Sequence, residues 1–246
     1  MTHHQESQHS PPRYVVVNAD DFGISHGVNR GIVDAHARGV VTSTSLMVAR
    51  PAARDAAAMS RDYPDLGIGL HFDHLGDDVG PRGFDTDDSA IVRDALRRQL
   101  EQFHALLGRG PTHLDSHHHL HRQPHLIELF RATAAELNAP LRSGGQINYV
   151  GGFYAQWEWR VTELRYVSAE FLEELLRDQA LPGEWTELSC HPGYVSPDFQ
   201  SVYLTEREAE LKTLVDPRVR QIVAQLGVRL CTFADFSRAS AGGRVA

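Results

Sequence analysis

The ionisable residues at the ends of apolar segments are the strongest chemical signal in this sequence. Four such segments end with, or are followed at once by, acidic or imidazole side chains: Asp20 and Asp21, His71, His117 and His191. Hydrophobic packing does not require ionisable groups at four separate segment ends. Imidazole nitrogens and carboxylate oxygens are common ligands of catalytic divalent metals. The pattern therefore predicts a metal site where these segments end.

The adjacent pair Asp20 and Asp21 follows the apolar run 14–18. Two neighbouring carboxylates repel each other and lose solvation if they are buried, so a cation or a strong hydrogen-bond network is needed to keep both ionised. A pair that forms a turn or caps a helix before Gly23 explains the same residues equally well. This segment alone leaves both interpretations open.

A histidine also lies in the apolar segment Leu66–Phe72 (LGIGLHF). Strand alternation places Gly67, Gly69 and His71 on one face, and the glycines leave space for something to approach the imidazole. A lone histidine in a strand is more often a hydrogen-bonded core residue than a metal ligand. By itself this segment is a weak signal.

The histidine-rich segment 112–121 is more specific. Strand alternation places His113, Asp115 and His117 on one face, where three ionisable groups are costly to bury without a function. The aspartate can be a ligand, or it can fix a ligand's tautomer from behind. An exposed histidine-rich loop explains residues 118–121 better than it explains residues 113–117, so we favour metal binding here.

The segment Thr186–Gly193 (TELSCHPG) places His191 at the end of a further strand. Adjacent strand residues point to opposite faces, so a nucleophilic pair of Cys190 and His191 is disfavoured and we predict a buried structural thiol at Cys190. His191, directly before a Pro-Gly turn, is better placed to act as an acid. The sequence lacks the motifs of helical zinc peptidases, P-loop enzymes and serine hydrolases.

The rest of the chain alternates strands with helices, which is typical of a mainly parallel sheet. Strands are predicted over 14–18, 40–48, 66–72, 112–118, 141–143, 185–190 and 228–233. Helices are predicted over 27–38, 51–60, 87–107, 168–180 and 217–226, with two more beginning near Pro124 and at a capping box of Thr205 and Glu208. Residues 75–86 read as a loop, and residues 144–167 as an excursion near a site. In a (βα) barrel, chemistry lies where strands end, as it does here.

Composition indicates an ordinary soluble domain over residues 14–246, preceded by a disordered tail, 1–13. The net charge of −8 argues against nucleic-acid or anionic-membrane partners. No segment has the apolar length of a membrane span or a signal peptide. Only two cysteines occur in the 246 residues, which indicates a reduced, cytoplasmic protein, although one disulfide between them remains open.

Five motifs resemble those of the YdjC-like carbohydrate deacetylases, the group that includes bacterial chitooligosaccharide deacetylases and HpnK-like proteins of hopanoid biosynthesis. They occur in the same order over about residues 14–236. The motifs are Asn18–Gly23 (NADDFG), Val41–Met47 (VTSTSLM), Gly69–His71 (GLH), Pro111–His121 (PTHLDSHHHLH) and Cys190–Gly193 (CHPG). The first and fourth motifs together are quite specific.

This resemblance implies a fold and a metal site. The expected fold is a single α/β domain, a deformed (βα) barrel related to the polysaccharide deacetylases, and the expected assembly is a homodimer. The resemblance also implies one divalent metal held by Asp21, His71 and His117. It points to Mg²⁺, whereas two imidazoles and a carboxylate suit Zn²⁺ or another transition metal, so the identity of the metal stays open.

The same resemblance implies catalytic roles for three further residues. Asp20 would be the general base, His191 the general acid, and Arg142 a residue that orients the base. The implied reaction is metal-dependent hydrolysis of the N-acetyl group of an N-acetylated amino sugar, in a chito-oligosaccharide or a glycolipid-like substrate. The sequence does not indicate which residues bind the sugar.

Two rival functions remain open at this point. The same centre could act on another amide or on a phosphoester. Alternatively, the protein could be a sugar-binding relative without activity. The presence of Asp20 and His191 beside the ligands argues against a simple binder, because binding needs neither an acid nor a base.

Overall fold

A computed structural model describes residues 11–74 and 85–242. The strands in these residues are β1 (Arg13–Phe22), β2 (Ser43–Leu46), β3 (Gly67–Phe72), β4 (Leu114–Ser116), β5 (Asn148–Val150), β6 (Trp185–Cys190) and β7 (Val228–Leu230). The α-helices are α1 (His26–Arg38), α2 (Ala53–Met59), α3 (Ser89–Leu107), α4 (Ile127–Glu136), α5 (Ala169–Gln179), α6 (Thr205–Leu214), α7 (Pro217–Gln225) and α8 (Phe233–Ser240). Short 3-10 segments cover Ser60–Asp62, His117–Arg122 and Leu164–Val167.

The strands form one parallel sheet in the order β4-β3-β2-β1-β6-β5, while β7 pairs with β1. β7 pairs with residues 13–15 at the start of β1, and β2 pairs with residues 18–22 at its end. The outer strands β4 and β5 do not pair with each other in the described residues. The predicted α/β fold, a deformed (βα) barrel in its open form, is confirmed, and the carboxyl ends of its strands collect at one end.

The two faces of β1 explain how polar groups reach the interior. Val15, Val17 and Ala19 belong to the main core that the helices cover, whereas Val16 packs into a smaller cluster with Phe233. Because side chains alternate along a strand, the next residues on the side of Val16 are Asn18 and Asp20. Alternation therefore carries Asp20 into the barrel interior.

Helix α1 begins at a side-chain cap and packs closely against the barrel. The Ser25 hydroxyl accepts from the Val28 amide at 3.1 Å and caps α1, as the sequence predicts. Helix α1 lies against the turn that follows β6, so closely that a Cβ at Gly31 would lie 2.5 Å from the Gly193 Cα. In the described residues no helix is long and apolar enough to cross a membrane.

Several predicted element bounds are wrong. β1 runs through Asp20 to Phe22 instead of ending at residue 18, and β4 ends at Ser116, so that a tight 3-10 turn begins at His117. Residues 141–143 form no strand, because only Leu141 makes a single bridge to β4. An additional strand, β5, lies within residues 144–167, the predicted excursion near a site.

The ends of two helices also differ from expectation. Thr205 makes no cap to α6, whose N-cap is Leu204, so the predicted capping box is wrong. The capping box in the structure joins Thr232 to Asp235 and starts α8, which ends the last strand before residue 233. Arg13, placed in the predicted tail, is the first residue of β1. Residues 1–10 of that tail and residues 75–84 of the predicted loop lie outside the described residues.

The space beside Gly69 is filled by the His113 ring. A Cβ at Gly69 would lie 2.3 Å from His113 Cε1, and the ring stacks on Phe233 with centroids 3.8 Å apart. Burial lowers the pKa of His113 to about 3, so the ring is neutral. The His113 side chain is thus a core residue, and the room that the glycine leaves serves packing.

We therefore predict that Gly69→Ala lowers the free energy of unfolding by about 1–3 kcal/mol, since the added methyl overpacks a filled interior. Urea denaturation would measure the change. Gly110→Ala is the matched control: a Cβ there meets nothing within 4 Å, so its effect should stay within about 0.5 kcal/mol. Equal stability of the two variants would contradict the packing described here.

Candidate active site

A bulge in β1 brings both adjacent aspartates to the same end of the barrel. The register between β1 and β2 shifts between Ala19 and Phe22, and Asp21 has a φ of 71° in the left-handed region. In regular strand geometry Asp20 and Asp21 would point to opposite faces. The irregular backbone removes that constraint, and aspartate tolerates the left-handed region better than most residues do.

Asp21, His71 and His117 converge around one point, as predicted. Asp21 Oδ1 lies 3.4 Å from His71 Nε2 and 3.4 Å from His117 Nδ1. One ligand atom from each residue lies within 4.8 Å of the other two. Asp21 Oδ1 is buried and has no hydrogen-bond partner. A buried carboxylate oxygen without a partner is costly unless a cation binds it, so these residues fit a metal ion.

Asp115 fixes the orientation of His71. The His71 Nδ1 atom lies 2.8 Å from Asp115 Oδ1, which leaves Nε2 free to face Asp21 and His117. Burial opposes the charged imidazole, but Asp115 and the other nearby carboxylates outweigh burial and raise the pKa of His71 to about 10. The site therefore favours a positive charge at this point, and a metal ion can supply it.

A second acidic group could also hold a cation by distance alone. It consists of Asp20, His71 and Asp115. Both oxygens of Asp20 already accept from Arg142, and Asp115 accepts from Ser45 at 2.6 Å. Because these oxygens have partners and Asp21 Oδ1 has none, the Asp21 group is the better metal site.

Arg207, on α6, holds the other oxygen of Asp21. Its Nη2 donates to Asp21 Oδ2 at 2.6 Å, and both side chains are buried. Burial would raise the pKa of Asp21, but Arg207, His117 and His71 together hold it well below its usual value. The sequence analysis selected ionisable residues at strand ends. Arg207 lies in a predicted helix, so that criterion did not find it.

Arg142 lies at the centre of three carboxylates. Its two terminal nitrogens each donate to Asp20 at 2.6 Å, and its Nε donates to Glu187 Oε1 at 2.7 Å. Arg142 Nη2 also lies 2.9 Å from Asp115 Oδ2. These partners come from β1, β6 and β4. The contact with Asp20 agrees with the orienting role that the resemblance implies, and that role stays a prediction.

The charge of Arg142 controls the ionisation of its partners. Burial disfavours the Asp20 carboxylate, yet Arg142 outweighs burial and lowers the pKa of Asp20. At Glu187 the balance is reversed, because burial raises its pKa to about 7 despite the same guanidinium. Asp20 is therefore ionised at neutral pH, as a proton acceptor must be.

His191 faces Asp20 across a short gap. Its Nε2 lies 3.8 Å from Asp20 Oδ2, and its side chain is 24% exposed, enough for contact with a bound molecule. Burial outweighs the attraction of Asp20 and Asp21 and lowers the pKa of His191 to about 4. The imidazole is neutral at neutral pH, so an acid role requires a proton that it gains during the reaction.

Glu210 is the second residue on α6 that sequence reasoning missed. It is fully buried, and it accepts from the His191 amide and, at 2.5 Å, from the Tyr203 hydroxyl. His191 Nδ1 lies 3.9 Å from Glu210 Oε1 and has no hydrogen-bond partner. Burial raises the pKa of Glu210 to about 8. Glu210 therefore anchors the backbone that carries His191.

The other histidines of the 112–121 segment do not join the ligand group. His118 and His119 both have positive φ, near 52° and 54°, in the turn that follows His117. His121 is buried, and its Nδ1 lies 2.7 Å from Ser116 Oγ. Cys190 is a buried free thiol in the main core, as predicted.

Comparison with known proteins identifies the family of this chain. The family model described as YdjC-like protein matches residues 14–225. The chain belongs to the YdjC-like family. It is 35% identical over 249 residues to a carbohydrate deacetylase of Geobacillus stearothermophilus, covering 92% of this chain and 98% of that protein. It is 34% identical over 258 residues to a chitooligosaccharide deacetylase of Serratia marcescens, covering 91% and 99%.

Solved structures show the same fold at lower identity. A putative cellobiose-phosphate cleavage protein from Enterococcus faecalis aligns with a TM-score of 0.77 at 24% identity, covering 92% of this chain and 99% of that chain. A family 4 carbohydrate esterase from Streptomyces lividans aligns with a TM-score of 0.54 at 13% identity, covering 90% and 93%. The fold of this YdjC-like protein is therefore shared with carbohydrate esterases and deacetylases.

The ligand assignment predicts a selective loss of metal. Purified protein should bind about one equivalent of a divalent ion, and His117→Ala should abolish stoichiometric binding because one of three protein ligands is removed. His118→Ala is the matched control, since its ring lies only 4.0 Å from that of His117 but outside the ligand group. Elemental analysis after dialysis would measure both variants. Full metal content in His117→Ala would contradict the assignment.

Proposed function

We propose that this protein is a metal-dependent carbohydrate deacetylase that hydrolyses the N-acetyl group of an N-acetylated amino sugar. The observation that carries the proposal is the unpartnered, buried Asp21 Oδ1 between two imidazole nitrogens, with an ionised carboxylate and an imidazole beside it. The names of the similar proteins, carbohydrate deacetylase and chitooligosaccharide deacetylase, support the choice of substrate class.

Asp21, His71 and His117 would hold the metal. A bound divalent ion would supply Lewis-acid polarisation of the acetyl carbonyl and lower the pKa of a water from 15.7 to about 7. Two nitrogen ligands and one oxygen ligand favour Zn²⁺ or another transition metal over Mg²⁺, which prefers oxygen. We therefore expect the transition metals to bind more tightly than magnesium.

Asp20 is positioned to take a proton from the attacking water. Arg142 holds both of its oxygens and keeps it ionised, so the carboxylate has a fixed direction and an open protonation site at neutral pH. The same guanidinium makes Asp20 a weak base. General-base catalysis is most efficient when the pKa of the base lies near the working pH, so a base as weak as Asp20 needs a water whose own pKa is lowered, as a bound divalent ion would do.

His191 is positioned to deliver that proton to the departing amine. It begins neutral, since burial keeps its pKa near 4, and its Nε2 faces Asp20 Oδ2 at 3.8 Å. The proton gained by Asp20 can pass to His191 and from there to the amine nitrogen as the carbon–nitrogen bond breaks. One proton leaves the water and one arrives on the amine, so both groups return to their starting states.

We also propose a cytoplasmic location and a homodimer for this protein. Cys190 and Cys231 are both buried and unpaired, which supports a reducing compartment. The homodimer rests on the family resemblance alone.

The proposed roles predict that Asp20→Asn and His191→Ala each reduce acetate release by about 10²–10⁴-fold, since each removes one proton-transfer group. The substrate would be N,N′-diacetylchitobiose with the Zn²⁺-loaded protein. Both variants should keep their metal, which separates proton transfer from metal binding.

His125→Ala is the control, because His125 lies on the surface and contacts only the Thr86 carbonyl among hydrogen-bond partners in the described residues. It should retain wild-type rates. Wild-type protein that releases phosphate from a phosphoester but no acetate from any N-acetylated sugar would refute the proposed function and favour the phosphoester alternative.

A further inference from the structure

Exposed apolar side chains are concentrated in one stretch of the chain. The described residues include eight large apolar side chains that are exposed, and four of them lie within residues 157–164: Trp157, Trp159, Val161 and Leu164. Single exposed apolar residues are ordinary, but four of them within eight consecutive residues make this stretch a candidate binding surface. The two tryptophans, 57% and 76% exposed, dominate this group.

The fold holds this stretch firmly although its side chains face solvent. Hydrogen bonds from the Glu163 amide to the Ala155 carbonyl, 2.8 Å, and from the Val161 amide to the Glu158 carbonyl, 3.0 Å, close a hairpin over residues 155–163. Ordered exposed aromatic groups therefore stand on a fixed backbone.

One buried carboxylate anchors both sides of the 155–163 hairpin. Glu206 on α6, only 2% exposed, accepts from Gln156 Nε2 at 2.7 Å and from the Thr162 hydroxyl. The hydrogen bonds from Thr162 and Gln156 outweigh burial and lower the pKa of Glu206, which keeps the anchor ionised. Burial of a charged group for this purpose indicates that the position of the hairpin matters.

A continuous row of aromatic rings connects the hairpin to the active site. Tyr154 stacks on Tyr203 with centroids 4.5 Å apart, and its ring lies 5.7 Å from the His191 ring. The Trp157 ring lies 6.1 Å from Tyr154 on the outer side. The distance between the ring centroids of His191 and Tyr154, and that between Tyr154 and Trp157, are each comparable with the width of one pyranose ring.

We propose that Trp157 is the platform for a second sugar ring of the substrate, next to the N-acetyl sugar that reacts beside His191. The apolar face of a pyranose packs on an aromatic ring, and nearby polar groups bind its hydroxyls. Glu158, the next residue along the hairpin, is an exposed polar side chain of this kind. This inference rests on the proposed function, and what it adds is the assignment of Trp157 as the side chain that contacts the second ring.

Trp159 provides a control within the same hairpin. It is the more exposed of the two tryptophans, and its aromatic-type contact in the described residues is with Arg160, 5.8 Å from the ring centroid. It therefore stands outside the row that begins at His191. A second copy of this chain is the rival occupant of the patch, and it would cover both tryptophans alike.

The test compares Trp157→Ala and Trp159→Ala on N-acetylglucosamine and on its β-1,4-linked trimer, with acetate release as the readout. In Trp157→Ala the ratio of kcat/KM for the trimer to kcat/KM for the monosaccharide should fall about tenfold, mainly through KM, as expected from loss of one aromatic packing contact. In Trp159→Ala that ratio should stay within about twofold of wild type. An unchanged ratio in Trp157→Ala, or an equal fall in both variants, would overturn the proposal.

Two further measurements keep the outcomes distinct. If wild-type protein releases no acetate from any sugar, the proposed function fails, and calorimetric titration with the trimer then decides the subsite: tighter binding to wild type than to Trp157→Ala supports it, and equal or absent binding overturns it. Light scattering tests the rival occupant. If both variants turn a dimer into a monomer and the kcat/KM ratio does not change, the patch is a subunit interface and the proposal is wrong.

Discussion

The guanidinium of Arg142 forms ion pairs with three buried carboxylates, and the arrangement of the site depends on these ion pairs. Removing one partner of a buried ion pair costs about 3–5 kcal/mol, because the other charge is left without compensation. Here one cation serves Asp20, Asp115 and Glu187 together. Arg142 lowers the pKa of both Asp20 and Asp115 against the opposing effect of burial, which keeps Asp115 ionised beside His71. Without the guanidinium, β1, β4 and β6 would bring three carboxylates close together with no positive charge between them.

The balance of charge around this centre also favours a bound cation. Two buried arginines, Arg142 and Arg207, contact four buried carboxylates, namely Asp20, Asp21, Asp115 and Glu187. Glu210 also lies near Arg207, but burial raises its pKa to about 8, so it is counted as protonated. If all four carboxylates are ionised, the excess is two negative charges, equal and opposite to one divalent ion. In the protein alone, a proton on His71 and the raised pKa of Glu187 reduce that excess. A divalent ion bound at Asp21 Oδ1, which has no hydrogen-bond partner, would compensate it.

The sequence was sufficient to predict the parallel fold and the residues that converge at the strand ends, because strands alternate with helices along the chain and ionisable residues recur where the strands end. It was not sufficient for features that depend on tertiary packing. The left-handed backbone at Asp21 brings Asp20 and Asp21 to the same end of the barrel, which strand alternation does not predict. His113 shares a strand face with Asp115, yet it is buried against Phe233. Arg207 and Glu210 come from a helix about 190 residues after β1 begins, and only the folded chain places them beside the site.

Helix α6 buries three charged residues together with Leu211 and Leu214, and this has an evolutionary consequence. Its buried residues Glu206, Arg207 and Glu210 contact the 155–163 hairpin, the Asp21 carboxylate and the backbone of His191, respectively. Under the roles proposed above, sugar binding, metal binding and proton delivery would all depend on this one helix. Natural variants cannot adjust one of these properties by shifting α6 without disturbing the other two. Diversification of substrate range in such a scaffold is expected through the exposed hairpin residues, which can change while the helix stays in place.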